Sequence, residues 1–169
     1  LSNTLSQFTV TQAFVGLTIQ NWVAANTNAQ IVLKQAATAS LTGITVSDAT
    51  ITAQWQLDVA KLSNYGSPVQ LVTGGKPTVM VNYTIDYDPS NMGYTSSFQA
   101  FSRLSKQLTD ACIGSTDYTA SFHSHAADRQ MSALFTADVT SPWVRIQGLK
   151  VFSKPTLAPT EAPTTSPTA

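Results

Sequence analysis

Between Thr78 and Tyr87 the chain alternates with the period of a strand buried on one face. Val79, Val81, Tyr83, Ile85 and Tyr87 fall on one side, and Met80, Asn82, Thr84 and Asp86 on the other. Asp88, Pro89, Ser90, Asn91 and Gly93 then break it. A looser run of strand formers spans Gln7 to Leu17, with Phe8, Val10, Gln12, Phe14 and Val15 and with Gly16 as punctuation. A further strand is expected within Ile44 to Val59, where Ala49, Ile51, Ala53, Trp55 and Leu57 alternate cleanly. Leu134 to Phe152 holds Val139, Trp143, Val144, Ile146, Leu149 and Val151. Pro142 and Gly148 interrupt it, so one or two strands are expected there.

The helical period appears in the Ala-rich stretch Ala29 to Leu41, with Asn26, Thr27 and Asn28 as candidate caps, Ile31, Leu33, Ala36, Ala37 and Leu41 as a face, and Gly43 as a stop. Trp22 and Val23 fall in the preceding connection. A stronger helix starts at Ser96 or Ser97, with Phe98, Phe101, Leu104, Leu108, Ala111 and Cys112 recurring at three and four. A short helical piece is expected over Asp117 to Ala126. Between Lys61 and Pro77 turn residues dominate, with a short strand at Val69 to Val72. The order strand, helix, strand, strand, helix, strand predicts an α+β fold of the ferredoxin-like, split βαβ kind. Its antiparallel sheet would carry two main helices on one face.

The tail has neither period. Pro155, Pro159, Pro163 and Pro167 recur every fourth residue, each followed by a threonine: Thr156, Thr160, Thr164 and Thr168. Such a segment buries too little surface to form a core, and its prolines favour polyproline II, which rises about 3.1 Å per residue. Successive Pro-Thr pairs then lie about 12 Å apart and turn by about a third of a revolution, so their hydroxyls face three sides in succession. That arrangement suits a rod sheathed in sugar. Thr156, Thr160, Thr164, Thr165, Ser166 and Thr168 are the candidate O-glycosylation sites, and Pro155, Pro159, Pro163 and Pro167 are candidates for proline hydroxylation or glycosylation. Asn82-Tyr83-Thr84 is the sole Asn-x-Ser/Thr sequon, with Asn82 on the polar side of its strand. The organisation read from the chain is an N-terminal extension over 1–6, one α+β domain over 7–152 and a Pro/Thr-rich tail over 153–169.

Charged residues are 11% of the chain and balance to zero, which leaves no field to hold nucleic acid or an anionic membrane and little repulsion between copies. No run approaches the roughly 18 to 20 apolar residues of a membrane span. Cys112 is the single cysteine, so no intrachain disulfide forms, and its place on an apolar helix face predicts a buried, inert thiol. The start at Leu1, with no apolar leader, reads as a processed or excised segment.

Catalytic and metal chemistry finds little purchase. His123 and His125, with Asp117 and Asp128 nearby, form the best metal-like group, but histidines two apart on a helix face different ways. No Gly-x-Ser-x-Gly elbow accompanies the serines. Gly74-Gly75-Lys76-Pro77 lacks the rest of a phosphate loop, and Asp86, Asp88 and Asn91 do not match an EF-hand spacing. A cofactor is not implied, and the reading is not an enzyme.

Phe14-x-Gly16-Leu17, the following Ala-rich helix, Gly43-Ile44-x-Val46, Thr50-Ile51-Thr52, and Gly114 before Asp117-Tyr118 and Phe122 resemble SEA-like modules. Similar domains recur with Pro/Thr/Ser-rich linkers in surface proteins of diatoms and related algae. The likeness covers roughly Phe8 to Ile146 and departs from the self-cleaving members: Gly66-Ser67 is followed by Pro68, and Gly114-Ser115 by Thr116. It implies an extracellular, glycan-associated spacer or assembly domain without catalytic residues. The expectation is therefore a structural module of an extracellular or cell-surface glycosylated fibre, with covalent glycans. Its partners would be other copies of itself, joined head to tail when the 1–6 extension or the tail docks on the next copy. The alternative is a recognition domain on a stalk, binding a glycan or protein through loops such as 64–76.

Overall fold

Phe8, Val10, Gln12 and Phe14 share one face of the first strand, and the fold is built on that face. The computed structural model describes residues 4–25, 27–58, 71–134 and 139–153. Its strands are β1 (Thr4–Val15), β2 (Ala49–Gln56), β3 (Thr78–Tyr87) and β4 (Thr140–Ser153). Its α-helices are α1 (Ile19–Ala25), α2 (Thr27–Ala39), α3 (Ser97–Cys112) and α4 (Asp117–Asp128). The fold is α+β. The strands form one antiparallel sheet in the order β2-β3-β1-β4, so β3 lies between β1 and β2, and β1 lies between β3 and β4.

All four helices share one core with the sheet: Phe8, Val10 and Phe14 of β1 and Val79, Val81, Tyr83 and Ile85 of β3 pack with Trp22, Leu33, Leu104 and Phe122. The other face of the sheet carries a smaller cluster of Ala13, Val15, Leu57, Leu71, Met80 and Trp143, to which no helix contributes. Among the described residues, helices therefore cover one face only, as a half-solvated antiparallel sheet allows.

Several sequence expectations need correction. β1 begins at Thr4 and not at Gln7, because Thr4, Leu5 and Ser6 pair with Ser153, Phe152 and Val151. Trp22 belongs to a helix of its own: Thr18 accepts from the backbone N–H groups of Asn21 and Trp22, and the indole packs on Phe14 at 5.4 Å between ring centroids. The even alternation of Ala49 to Leu57 is broken by a bulge between Ile51 and Ala53. Ala49 and Ile51 face the helices, whereas Trp55 turns to the smaller cluster. Ile44 and Val46 lie before the strand, in a turn and a short 3-10 segment.

β4 is a single strand through both interruptions. Register shifts fall beside Pro142 and at Gly148, whose φ of 74° is the left-handed value a glycine bulge needs. Phe98, assigned to the apolar face of α3, is 69% exposed, while Ala100, Leu104, Leu108 and Cys112 carry the contact. Leu71 and Val72 are not in a strand, and the rest of the expected piece there lies outside the described residues, as does the whole Pro/Thr tail from 154 to 169.

Candidate functional site

Two surfaces and one buried network hold the chemistry-bearing residues. On the helix-free face, Asn82 sits in β3 opposite Thr11 of β1 and Ala53 of β2. Its side-chain oxygen accepts from Thr11 Oγ1 at 2.7 Å, its backbone carbonyl accepts from Thr52 Oγ1 at 3.3 Å, and the side chain is half-buried. Thr84, two residues on, is opposite Thr9 and Thr50 on the same face. Around them Gln7 Nε2 donates to Asp86 Oδ1 at 2.7 Å, and Thr50, Thr52 and Ala53 are exposed. Around Asn82 and Thr84 this face is an amide and hydroxyl surface, with Asp86 beside it and the apolar cluster of Ala13, Met80 and Trp143 at one end. The candidate O-linked and proline sites, Thr156 to Thr168 and Pro155 to Pro167, lie outside the described residues.

The second surface is the outer side of α3. Tyr94, Phe98, Gln99, Ser102, Arg103 and Lys106 line a shallow hollow of about 490 Å³. Another, of about 430 Å³, lies between α2, α3 and α4, lined by Ser40, Gln107, Asp110, Asp117 and Ser121. Lys106 Nζ is held by Asp110 Oδ2.

The buried network centres on Gln12, which is fully enclosed. Its amide donates to Ser141 Oγ at 2.7 Å and to Cys112 Sγ at 3.5 Å, and its oxygen accepts from Tyr83 Oη at 2.7 Å. Tyr118 Oη donates to the carbonyl of Leu33 at 3.2 Å. Burial pushes the Tyr83 and Tyr118 phenols and the Cys112 thiol well above their ordinary values, which holds them protonated and unreactive. The arrangement is a satisfied polar core. Sequence reasoning placed Gln12 in a strand but passed over its role, although a polar residue in phase with Phe8, Val10 and Phe14 is the signal.

The metal-like group comes apart. His123 Nε2 bonds the carbonyl of Val139 at 2.6 Å, and among the described residues no three His, Cys, Asp or Glu side chains gather closely enough to hold an ion. Asp86 and Asp88 are likewise separated: Asp86 is engaged with Gln7 on the sheet, while Asp88 Oδ1 caps its own turn by accepting from Ser90 N and Oγ. Gly74 and Gly75 form a left-handed turn closed by Lys76 N donating to Thr73 O at 3.1 Å. No helix among the described residues is long and apolar enough to cross a membrane. No family model, no curated protein and no solved structure matches the chain.

Proposed function

We propose that the chain is a structural module of an extracellular glycosylated fibre or surface appendage. Its ferredoxin-like, SEA-like βαββαβ domain would carry Pro155–Ala169 as an O-glycosylated polyproline II stalk, and copies would assemble through their termini. The strand order β2-β3-β1-β4 supports the fold reading. The observation that carries the functional reading is the pairing of Thr4 with Ser153. It pairs the first and last described residues of the sheet, Thr4 of β1 and Ser153 of β4, at one end of the domain. A leader crossing to the next copy and a stalk projecting from it would then act at the same contact. The zero net charge opposes no approach of a second copy.

A second reading, a recognition domain displayed on the stalk, is favoured by the exposed Phe98 beside Tyr94 and Arg103 on α3. Negative-stain electron microscopy separates the two, with regular filaments expected for the fibre and dispersed particles for the receptor. Two deletions, of residues 1–3 and of 155–169, locate the contribution of each end. The N-terminal deletion stops before Thr4 so that β1 stays whole. Unchanged filaments in both would remove the termini from the assembly. Glycopeptide mass spectrometry of the tail and of Asn82 tests the sugars, and a tail of unmodified mass would end the stalk reading.

A further inference from the structure

We propose that the hollow on the outer side of α3 is the seat of the chain's own Pro/Thr segment, with Glu161 set against Arg103 and Pro159 against Phe98, whether copies form a fibre or stay single. Phe98 is 69% exposed although it falls at the helical period of Phe101, Leu104 and Leu108. Its ring lies 6.5 Å from that of Phe101, and Phe101 lies 5.6 Å from Phe8, so an aromatic track runs from the core out to the hollow. Tyr94 and the polar residues Gln99 and Ser102 line it further, with Arg103 and Lys106. The two cations differ. Lys106 is held by Asp110, whereas Arg103 is exposed and enters no ion pair among the described residues.

Exposed rings beside an unneutralised guanidinium suit a proline-rich segment that carries an acid. Aromatic side chains receive the preformed polyproline II backbone at little entropic cost, and a guanidinium takes a carboxylate as a two-pronged pair. The chain holds one such segment. Glu161 is its only glutamate and the only charged residue of 155–169, and Pro159 and Pro163 flank it. In polyproline II Pro159 and Glu161 stand about 6 Å apart along the axis, and Phe98 and Arg103 stand about 7.5 Å apart along a helix. One proline and one carboxylate therefore meet one ring and one cation together.

The segment also reaches. Val151 is opposite Ser6, Ser6 is opposite Tyr87, and the Tyr87 hydroxyl donates to the Ser97 carbonyl at 3.2 Å. The last residues of β4 and the first of α3 thus share one end of the domain, with Ser97 on the order of 15 Å from Ser153 by strand rise and spacing. Glu161 follows Ser153 by eight residues, a span of about 25 Å in polyproline II. A short tether holds its ligand at an effective concentration in the millimolar range, so an intrinsic affinity of about 1 mM fills the hollow about half the time. An acidic segment from outside the chain has no such advantage. Thr160 adjoins Glu161, so a sugar on Thr160 would hold the segment off the hollow and leave the stalk to project.

Zero-length carbodiimide coupling of the full chain, with its tail unmodified by mass, tests the seat. Arg103→Lys keeps the charge and supplies an amine. In that variant an amide is expected between positions 103 and 161, in preference to links from Glu161 to Lys34 or Lys150, as mapped by mass spectrometry of the digest. Adding Phe98→Ala should lower the yield roughly threefold to tenfold, through loss of the ring contact. Phe98 and Arg103 are both exposed, so the fold survives either change.

Mixing isotopically heavy and ordinary chains separates links within a chain from links between chains. Coupling of Glu161 spread evenly over positions 34, 103 and 150, and indifferent to Phe98→Ala, would overturn the seat and leave the hollow to another occupant. A link from 103 to 161 found only between chains would overturn it as well and assign the hollow to a second copy. Micrographs of the unaltered chain decide the fibre reading separately, so the two failures are told apart.

Discussion

Gln12 Oε1 accepts the Tyr83 hydroxyl at 2.7 Å in the middle of the main core, between the two central strands. The same amide donates to Ser141 of β4, so one side chain joins three strands on the face that the helices cover. A buried amide is costly unless its partners are met, and here they are.

Replacing Gln12 with Leu strands the Tyr83 and Ser141 hydroxyls in an apolar setting and is expected to cost about 2–4 kcal/mol. Adding Tyr83→Phe removes one orphaned group and should recover about 1 kcal/mol of that loss. Urea unfolding followed by circular dichroism measures both. Additive losses in the double variant would show that the two side chains are not coupled.

The same burial sets an alkaline limit. The Tyr87 phenol is pushed up to about 12 by burial, offset in part by the Ser6 hydroxyl, and Tyr83, Tyr118 and Cys112 are raised as well. A phenol raised above its unfolded value of about 10 contributes stability that is fully present below pH 10. That contribution is lost as pH rises through the folded value, because the unfolded chain ionises first. Stability to urea should be flat from pH 7 to about 8, begin to fall from about pH 8.5 as the unfolded Cys112 thiol ionises, and fall more steeply from about pH 10 upward, with a slope near 1.4 kcal/mol per pH unit for each buried thiol or phenol still protonated in the folded state. A flat profile to pH 11 would contradict the burial of these groups.

Trp22 anchors α1 against the core, packing on Phe14 and donating to Gln54 Oε1 across to the edge strand. Trp22→Ala is expected to destabilise the domain by about 3–5 kcal/mol. Trp22→Phe should cost less, because it keeps the ring and loses only the indole N–H. Equal losses in the two would place the hydrogen bond above the packing, against expectation.

How much of this was legible in the chain follows from local rules. β3 and α3 could be read because their periods run unbroken and Ser96 caps α3 by accepting from Gln99 N at 3.0 Å. The bulge in β2 was not legible: Ala49, Ile51, Ala53, Trp55 and Leu57 alternate without a break in sequence. The shift at Thr52 becomes necessary only when Trp55 must meet Met80 and Trp143 on the far face. Helix α1 was missed because its seven residues show less than two turns of period, and its stability comes from Trp22 reaching Phe14, a contact outside the segment. The pairing of Thr4 with Ser153 depends on the sheet as a whole and leaves no local signal.

Cys112 ends α3, 3% exposed as a residue, with its sulfur accepting from the Gln12 amide, and burial raises its pKa. The thiolate is the reactive species, so alkylation requires both access and ionisation, and the folded protein denies each. Incubation with iodoacetamide at pH 8 should leave the native chain unmodified by mass spectrometry, while the same treatment in concentrated urea should add one carbamidomethyl group. Gln12→Leu lowers the free energy of opening and should therefore speed labelling under native conditions, where exchange follows the population of the open state. Rapid labelling of the unaltered native chain would mean that α3 does not seal this corner of the core.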